Sequence, residues 1–127
     1  MTRTHFVLIA LLLTTTACGG SPTSPSTGSP GPSGATITIL ASGTVSPTQV
    51  DITAGQSVTF INQDSRSNEI ASDPHPDHND CPPINALGLL LPGQTRNTNG
   101  LTTVRTCGFH DHQDPTNTAL QGRIVIH

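Results

Sequence analysis

Val50-Asp51-Ile52-Thr53-Ala54-Gly55-Gln56-Ser57-Val58-Thr59-Phe60-Ile61-Asn62 is the stretch from which the fold is read. Apolar and polar residues alternate over 50–53, Ala54-Gly55-Gln56 has turn composition, and Val58 to Ile61 resumes as a β-branched and aromatic strand. Working outward, Thr36-Ile37-Thr38-Ile39-Leu40 alternates in the same way, Asn62 to Ser65 ends the strand before it, and 72–83 has the Pro, Asp, Asn and His content of a loop. Leu87 to Leu91 is an apolar run that packs as a short strand or turn. Leu101 to Cys107 and Gly122 to Ile126 read as two more strands. No stretch keeps a helical period over ten residues, so short strands with Gly/Pro turns predict an all-β sandwich.

The rest of the chain divides by composition. Residues 1–17 carry Arg3, an eight-residue apolar run from Phe6 to Leu13 and then small residues, which is the pattern of a secretory signal peptide. The run is too short for a permanent membrane span. Ala17-Cys18-Gly19 resembles a bacterial lipobox, with Thr15 where Leu is usual, and implies a lipid anchor at Cys18 and membrane contact through it. Residues 18–34 follow as a tether made, after Cys18, only of Gly, Ser, Pro and Thr, with no large side chain whose burial would offset ordering. Residues 35–127 form the one domain. Its only aromatics are Phe60 and Phe109, it has no lysine, and four arginines face eight acidic residues from Cys18 onward, a formal charge of −4. That surface excludes nucleic acid as a partner, which requires a basic footprint and stacking aromatics.

Two short segments carry the chemistry: His75-Pro76-Asp77-His78-Asn79-Asp80-Cys81 and Cys107-Gly108-Phe109-His110-Asp111-His112. They hold four of the six histidines and two of the three cysteines. Imidazole and thiolate bind copper, zinc and iron well at neutral pH, so His75, His78, Cys81, Cys107, His110 and His112 are the candidate metal ligands. With Cys107 read at the end of a strand and His110 in the loop after it, a short turn brings thiolate and imidazole to one ion. Asp73, Asp77, Asp80 and Asp111 flank the donors, either orienting imidazole N–H groups or simply solvated. His5 falls in the signal peptide, and His127 is incidental.

On these residues the chain resembles the cupredoxins, the blue copper proteins. Val50 to Asn62 resembles the family's early strand pair, Cys107-Gly108-Phe109-His110 its Cys-x-x-His ligand pair, and Gly122 to Ile126 its closing strand. The resemblance implies a Greek-key β-sandwich, a bound copper ion, and single-electron transfer to a periplasmic or surface redox partner. It makes Cys107 the thiolate ligand and His110 an imidazole ligand. Two positions depart from the pattern: Asn68 stands where the family has its first histidine, and Leu120 where it has its axial methionine. His75, His78 or His112 then has to supply the missing imidazole.

Other readings of the same residues stay open. Six donors exceed the need of one ion, which leaves a displaced site, a copper store or carrier, or a tetrahedral zinc site. An exported chain also meets oxidising conditions, where Cys81 and Cys107 would pair, close a loop of 25 intervening residues and contribute roughly 2–4 kcal/mol. Such a bridge leaves a histidine-only site or a structural sandwich. No Gly-x-Ser-x-Gly elbow or phosphate-binding loop points to an enzyme.

Overall fold

The structure, a computed structural model, describes residues 32–127. The signal peptide, Cys18 and most of the tether lie outside the described residues. Nine strands form two sheets: β1 (Ser33–Ile39), β2 (Val45–Ser46), β3 (Gln49–Ile52), β4 (Ser57–Asn62), β5 (Asn68–Ser72), β6 (Leu89–Leu90), β7 (Thr95–Asn97), β8 (Arg105–Asp111) and β9 (Gly122–Ile126). One sheet has the order β2-β1-β4-β7 and the other β3-β9-β8-β5-β6. The expected all-β sandwich is thus present, with mixed sheets: β1 runs parallel to β4 and β3 parallel to β9. A one-turn helix α1 (Pro82–Asn85) interrupts the long loop after β5.

Alternation explains which faces meet. Val50 and Ile52 of β3, Val58 and Phe60 of β4, and Cys107 and Phe109 of β8 all enter one core. Phe60 and Phe109, the two aromatics of the domain, meet across the sandwich edge to face, with ring centroids 5.3 Å apart. Burying each ring removes apolar area worth about 1.5–3 kcal/mol, and the edge-to-face pair adds about 0.5–1.5 kcal/mol. Asn62 ends β4 inside this core with no exposure. Its amide donates to the carbonyls of Arg66 and Leu90 (2.8 and 3.0 Å) and its oxygen accepts from the Asp64 N–H (2.9 Å), so a buried polar group is fully used.

Two departures from the sequence reading decide where the site forms. The strand expected over 101–107 runs instead from Arg105 to Asp111, because β8 pairs on one side with β9 and on the other with β5. β5 itself, Asn-Glu-Ile-Ala-Ser, has weak strand propensity and is a strand through its pairing with β8 and β6. β1 begins at Ser33, two residues before the expected domain start. Among the described residues no helix is long and apolar enough to cross a membrane.

Candidate metal centre

Because β8 is unbroken through Asp111, side-chain parity sorts its residues. Cys107 and Phe109 point into the core, while Gly108 and His110 share the outer face, which His112 continues just past the strand. Cys107 and His110, three apart, therefore face opposite sides of the sheet. The expectation that both bind one ion is corrected on that ground. The strand end beside Asn68 is held by Asp111 instead: its carboxylate accepts the Glu69 N–H at 2.9 Å and the Gln113 N–H at 3.3 Å.

The cysteines are corrected a second time. Cys81 and Cys107 are bonded to each other, with Cα atoms 5.8 Å apart, within the usual span of a bridge. Both sulfurs lie at the core, Cys107 wholly buried and Cys81 nearly so. Neither offers a thiolate, so Cys81 and Cys107 leave the ligand set. Asn68 and Leu120 are also buried elsewhere: Asn68 donates to Asn62 and to the Arg66 carbonyl, and Leu120 packs in the core.

What the structure brings together is His75, His78, His110 and His112. One ring nitrogen from each lies within 4.8 Å of all the others. His78 Nε2 is 3.3 Å from His110 Nε2 and 3.2 Å from His112 Nδ1. Donors about 2.0–2.1 Å from a tetrahedral ion stand about 3.3–3.4 Å apart, so the His78–His110 and His78–His112 separations already match one first-row ion, and the other pairs, within 4.8 Å, have to close by up to about 1.5 Å. His110 comes from the outer face of β8, His112 from the residue just past its end, and His75 and His78 from the loop between β5 and α1, which folds back over it.

That loop is held by its own polar groups. His78 has a left-handed backbone (φ 49°), a conformation costing about 1–2 kcal/mol for a residue with a Cβ. Three hydrogen bonds impose it: the His78 N–H donates to the Pro74 carbonyl (2.8 Å), and Ser72 Oγ and Asn85 Nδ2 donate to the His78 carbonyl (2.9 and 2.8 Å). Strain that the surroundings over-determine is a signature of functional positions.

Asp73 completes the centre. Its Oδ1 lies 2.6 Å from His110 Nδ1, so His110 carries its proton on Nδ1 and turns the Nε2 lone pair toward the cluster. The His110 ring is 3% exposed while Asp73 is 49% exposed, so the carboxylate reaches in from solvent. Gly108 makes this approach feasible: a Cβ there would sit 2.9 Å from Asp73 Cγ and closer still to its Oδ2. The spacing of Asp73 and Gly108 gives no sign of this contact in sequence; it arises where Ser72 pairs with Phe109. Of the other flanking acids, Asp80 pairs with Arg105, and Asp77 is exposed. His127 lies apart, bonded to Asp51 at 2.8 Å.

Burial disfavours the His78 imidazolium, and positive charge on His112, His110 or His75 would disfavour it further, so its pKa falls below the ordinary 6.5. A histidine kept neutral is a histidine ready to bind metal. The cluster can thus offer four imidazole nitrogen donors, a carboxylate orienting one of them, and no sulfur.

Solved structures share this architecture. A purple cupredoxin from Nitrosopumilus maritimus is 17% identical over 73% of this chain and 99% of its own, with a TM-score of 0.53. The oxidised form of plastocyanin from Dryopteris crassirhizoma is 16% identical, over 72% and 99%, at 0.56. An amicyanin variant in the Cu(I) state is 17% identical, over 74% and 83%, also at 0.56. No family model and no curated protein matches the sequence. The protein therefore has a cupredoxin-like fold, and at these identities the likeness is one of fold.

Proposed function

We propose that this is an exported copper-binding protein that holds one ion through His75, His78, His110 and His112 and serves to capture copper and pass it on. The observation that carries this reading is the convergence of four ring nitrogens within 4.8 Å. Imidazole suits copper and zinc, and at a nitrogen site Cu²⁺ binds more tightly than the other divalent first-row ions. Capture and transfer are favoured by the position of His75, which is solvent-exposed on the covering loop, so that an incoming ligand reaches the ion from that side. Export, the lipid anchor at Cys18 and the 18–34 tether belong to the same proposal, placing the domain at a membrane surface.

Electron transfer to a periplasmic or surface redox partner is the second reading. It is favoured by the fold, since the similar structures include an oxidised plastocyanin and a Cu(I) amicyanin variant. It would run through all-imidazole copper rather than a blue thiolate site. Titration with Cu²⁺ tests both. One equivalent should bind, giving a weak visible band, nitrogen hyperfine structure in the electron paramagnetic resonance spectrum and no intense thiolate-to-copper band; His110→Ala/His112→Ala should abolish it. Failure of the wild type to bind one equivalent, or binding that survives the double substitution, overturns the proposal. Reversible electrochemistry of the loaded protein separates electron transfer from carriage, and the same titration with Zn²⁺ ranks the two metals.

A further inference from the structure

We infer that the Cys81–Cys107 bridge is a positioning element of the metal centre, so that metal affinity and the redox state of the bridge are coupled; this rests on the metal site proposed above. The four donors come in two pairs on separate pieces of chain. His75 and His78 ride on the loop that ends at Cys81, His110 belongs to the strand that contains Cys107, and His112 follows that strand directly. The bridge joins the far end of that loop to β8, three residues from His78 on one side and three from His110 on the other.

The direct polar ties of the loop to β8 lie mostly at its near end. At the near end the Asp73 N–H donates to the Gly108 carbonyl at 3.1 Å, and Asp73 reaches His110. The bonds that shape His78 run to Pro74, Ser72 and Asn85, all outside β8. At the far end the Asp80 N–H donates to the Asp73 carbonyl at 2.9 Å, a bond within the loop that reaches β8 only through Asp73. The direct polar tie to β8 there, among the described residues, is the Asp80–Arg105 ion pair, whose side chains are 29% and 43% exposed, and such pairs contribute little. Opening the bridge therefore leaves the loop with its internal shape but without its covalent anchor at the end nearer His78. The two histidine pairs then have to be brought into register by the metal itself.

Of the two half-cystines Cys81 lies nearer the surface, 4% exposed against none for Cys107. A groove of about 230 Å³ lined by Asp80, Cys81, Pro82, Thr102 and Arg105 opens beside Cys81, whereas Cys107 is wholly enclosed. A monothiol reductant that enters by this groove, as the side chains around Cys81 fluctuate, comes to Cys81 before Cys107. Its thiolate attacks Cys81 Sγ, the S–S bond breaks, and Cys107 leaves as thiolate and takes a proton. A second monothiol displaces Cys81, which is also protonated, and departs as the oxidised dimer of the reductant. Two electrons and two protons enter the protein. By linkage, the factor by which the bridge tightens metal is the factor by which metal resists this reduction.

The test uses the full chain and Zn²⁺, which has no redox chemistry with thiols. A chelator-competition titration compares oxidised wild type with Cys81→Ala/Cys107→Ala. Affinity should fall about 10- to 100-fold, the range seen when groups that hold metal ligands are removed, with the far-UV circular dichroism unchanged. Independently, oxidised wild type is equilibrated in glutathione redox buffers with and without saturating Zn²⁺. Zinc should raise the reduced-to-oxidised glutathione quotient needed for half-reduction by the same factor, and should not do so in His110→Ala/His112→Ala. This arm decides the matter if the alanine pair does not fold. A bridge that only stabilises the sandwich would leave the glutathione midpoint of a still-folded domain indifferent to zinc. Equal zinc affinity with and without the bridge, and an unmoved midpoint, overturn the coupling while leaving the metal site intact. No zinc binding by oxidised wild type overturns the site itself.

Discussion

Gly108→Ala should uncouple metal binding from stability. The new Cβ would lie 2.9 Å from Asp73 Cγ, so the carboxylate must swing away and give up its 2.6 Å bond to His110 Nδ1. Asp73 is 49% exposed, so it can rotate into water, and the sheet need not move. Replacing a strand glycine removes unfolded-state entropy worth about 0.4–1 kcal/mol. The lost hydrogen bond involves a half-exposed carboxylate and offsets a similar amount. Net stability of the metal-free protein should therefore change by less than about 1 kcal/mol. Metal affinity should fall about 10- to 100-fold, or about 1.4–2.8 kcal/mol, because His110 no longer has its orienting acceptor. Urea unfolding gives the first quantity and Cu²⁺ or Zn²⁺ competition the second. Asp73→Ala should lower affinity to the same degree, and the two changes combined should be no worse than either alone. Additive losses in the double variant, or undiminished binding in Gly108→Ala, would refute the assignment of Asp73 as the group that orients His110.

Three further outcomes are expected. Metal-free protein should lose stability as pH falls below about 6.5: His78 has a lowered pKa in the fold, so the unfolded chain takes up a proton that the folded cluster refuses, and the contribution, complete above the unfolded value, disappears as pH drops through the folded one. Urea midpoints at pH 7.5 and 5.5 check this, with a smaller difference in His78→Gln; a midpoint that rises on acidification contradicts it. Reducing the Cys81–Cys107 bridge, which spans a sequence separation of 26, should cost about 2–4 kcal/mol of stability, measurable by thermal unfolding with and without reductant. Asn62→Leu should destabilise by roughly 2–4 kcal/mol, since the Asp64 N–H and the Arg66 and Leu90 carbonyls lose their buried partner; an unchanged urea midpoint would show that water replaces it.

The strands of the core were legible because alternation is a local property. Val50, Ile52, Val58 and Phe60 reveal their inward face without reference to any other part of the chain. β5 was not legible, since Asn68 to Ser72 has little strand character and takes its conformation from β8 and β6. Missing β5 had a direct consequence for the site. Without a partner on that side, β8 reads as ending at Cys107, and Cys107 and His110 then fall naturally around a turn. With β5 in place, β8 runs on to Asp111, and the same three-residue spacing puts the two side chains on opposite faces.

By itself the sequence determined the donor types, their gathering into two segments, and the even spacing of His110 and His112 that keeps both on one face of an extended chain. The tertiary structure alone decided which donors share a site. A thiolate and a half-cystine are the same residue in sequence, and only the closeness of Cys81 and Cys107 in the core makes them a bridge. Asp73 meets His110 only because a non-local strand pairing aligns Ser72 with Phe109, and Gly108 leaves the space. Chain-local preferences are written residue by residue, whereas coordination requires nitrogens from positions more than thirty residues apart to converge within a few ångströms.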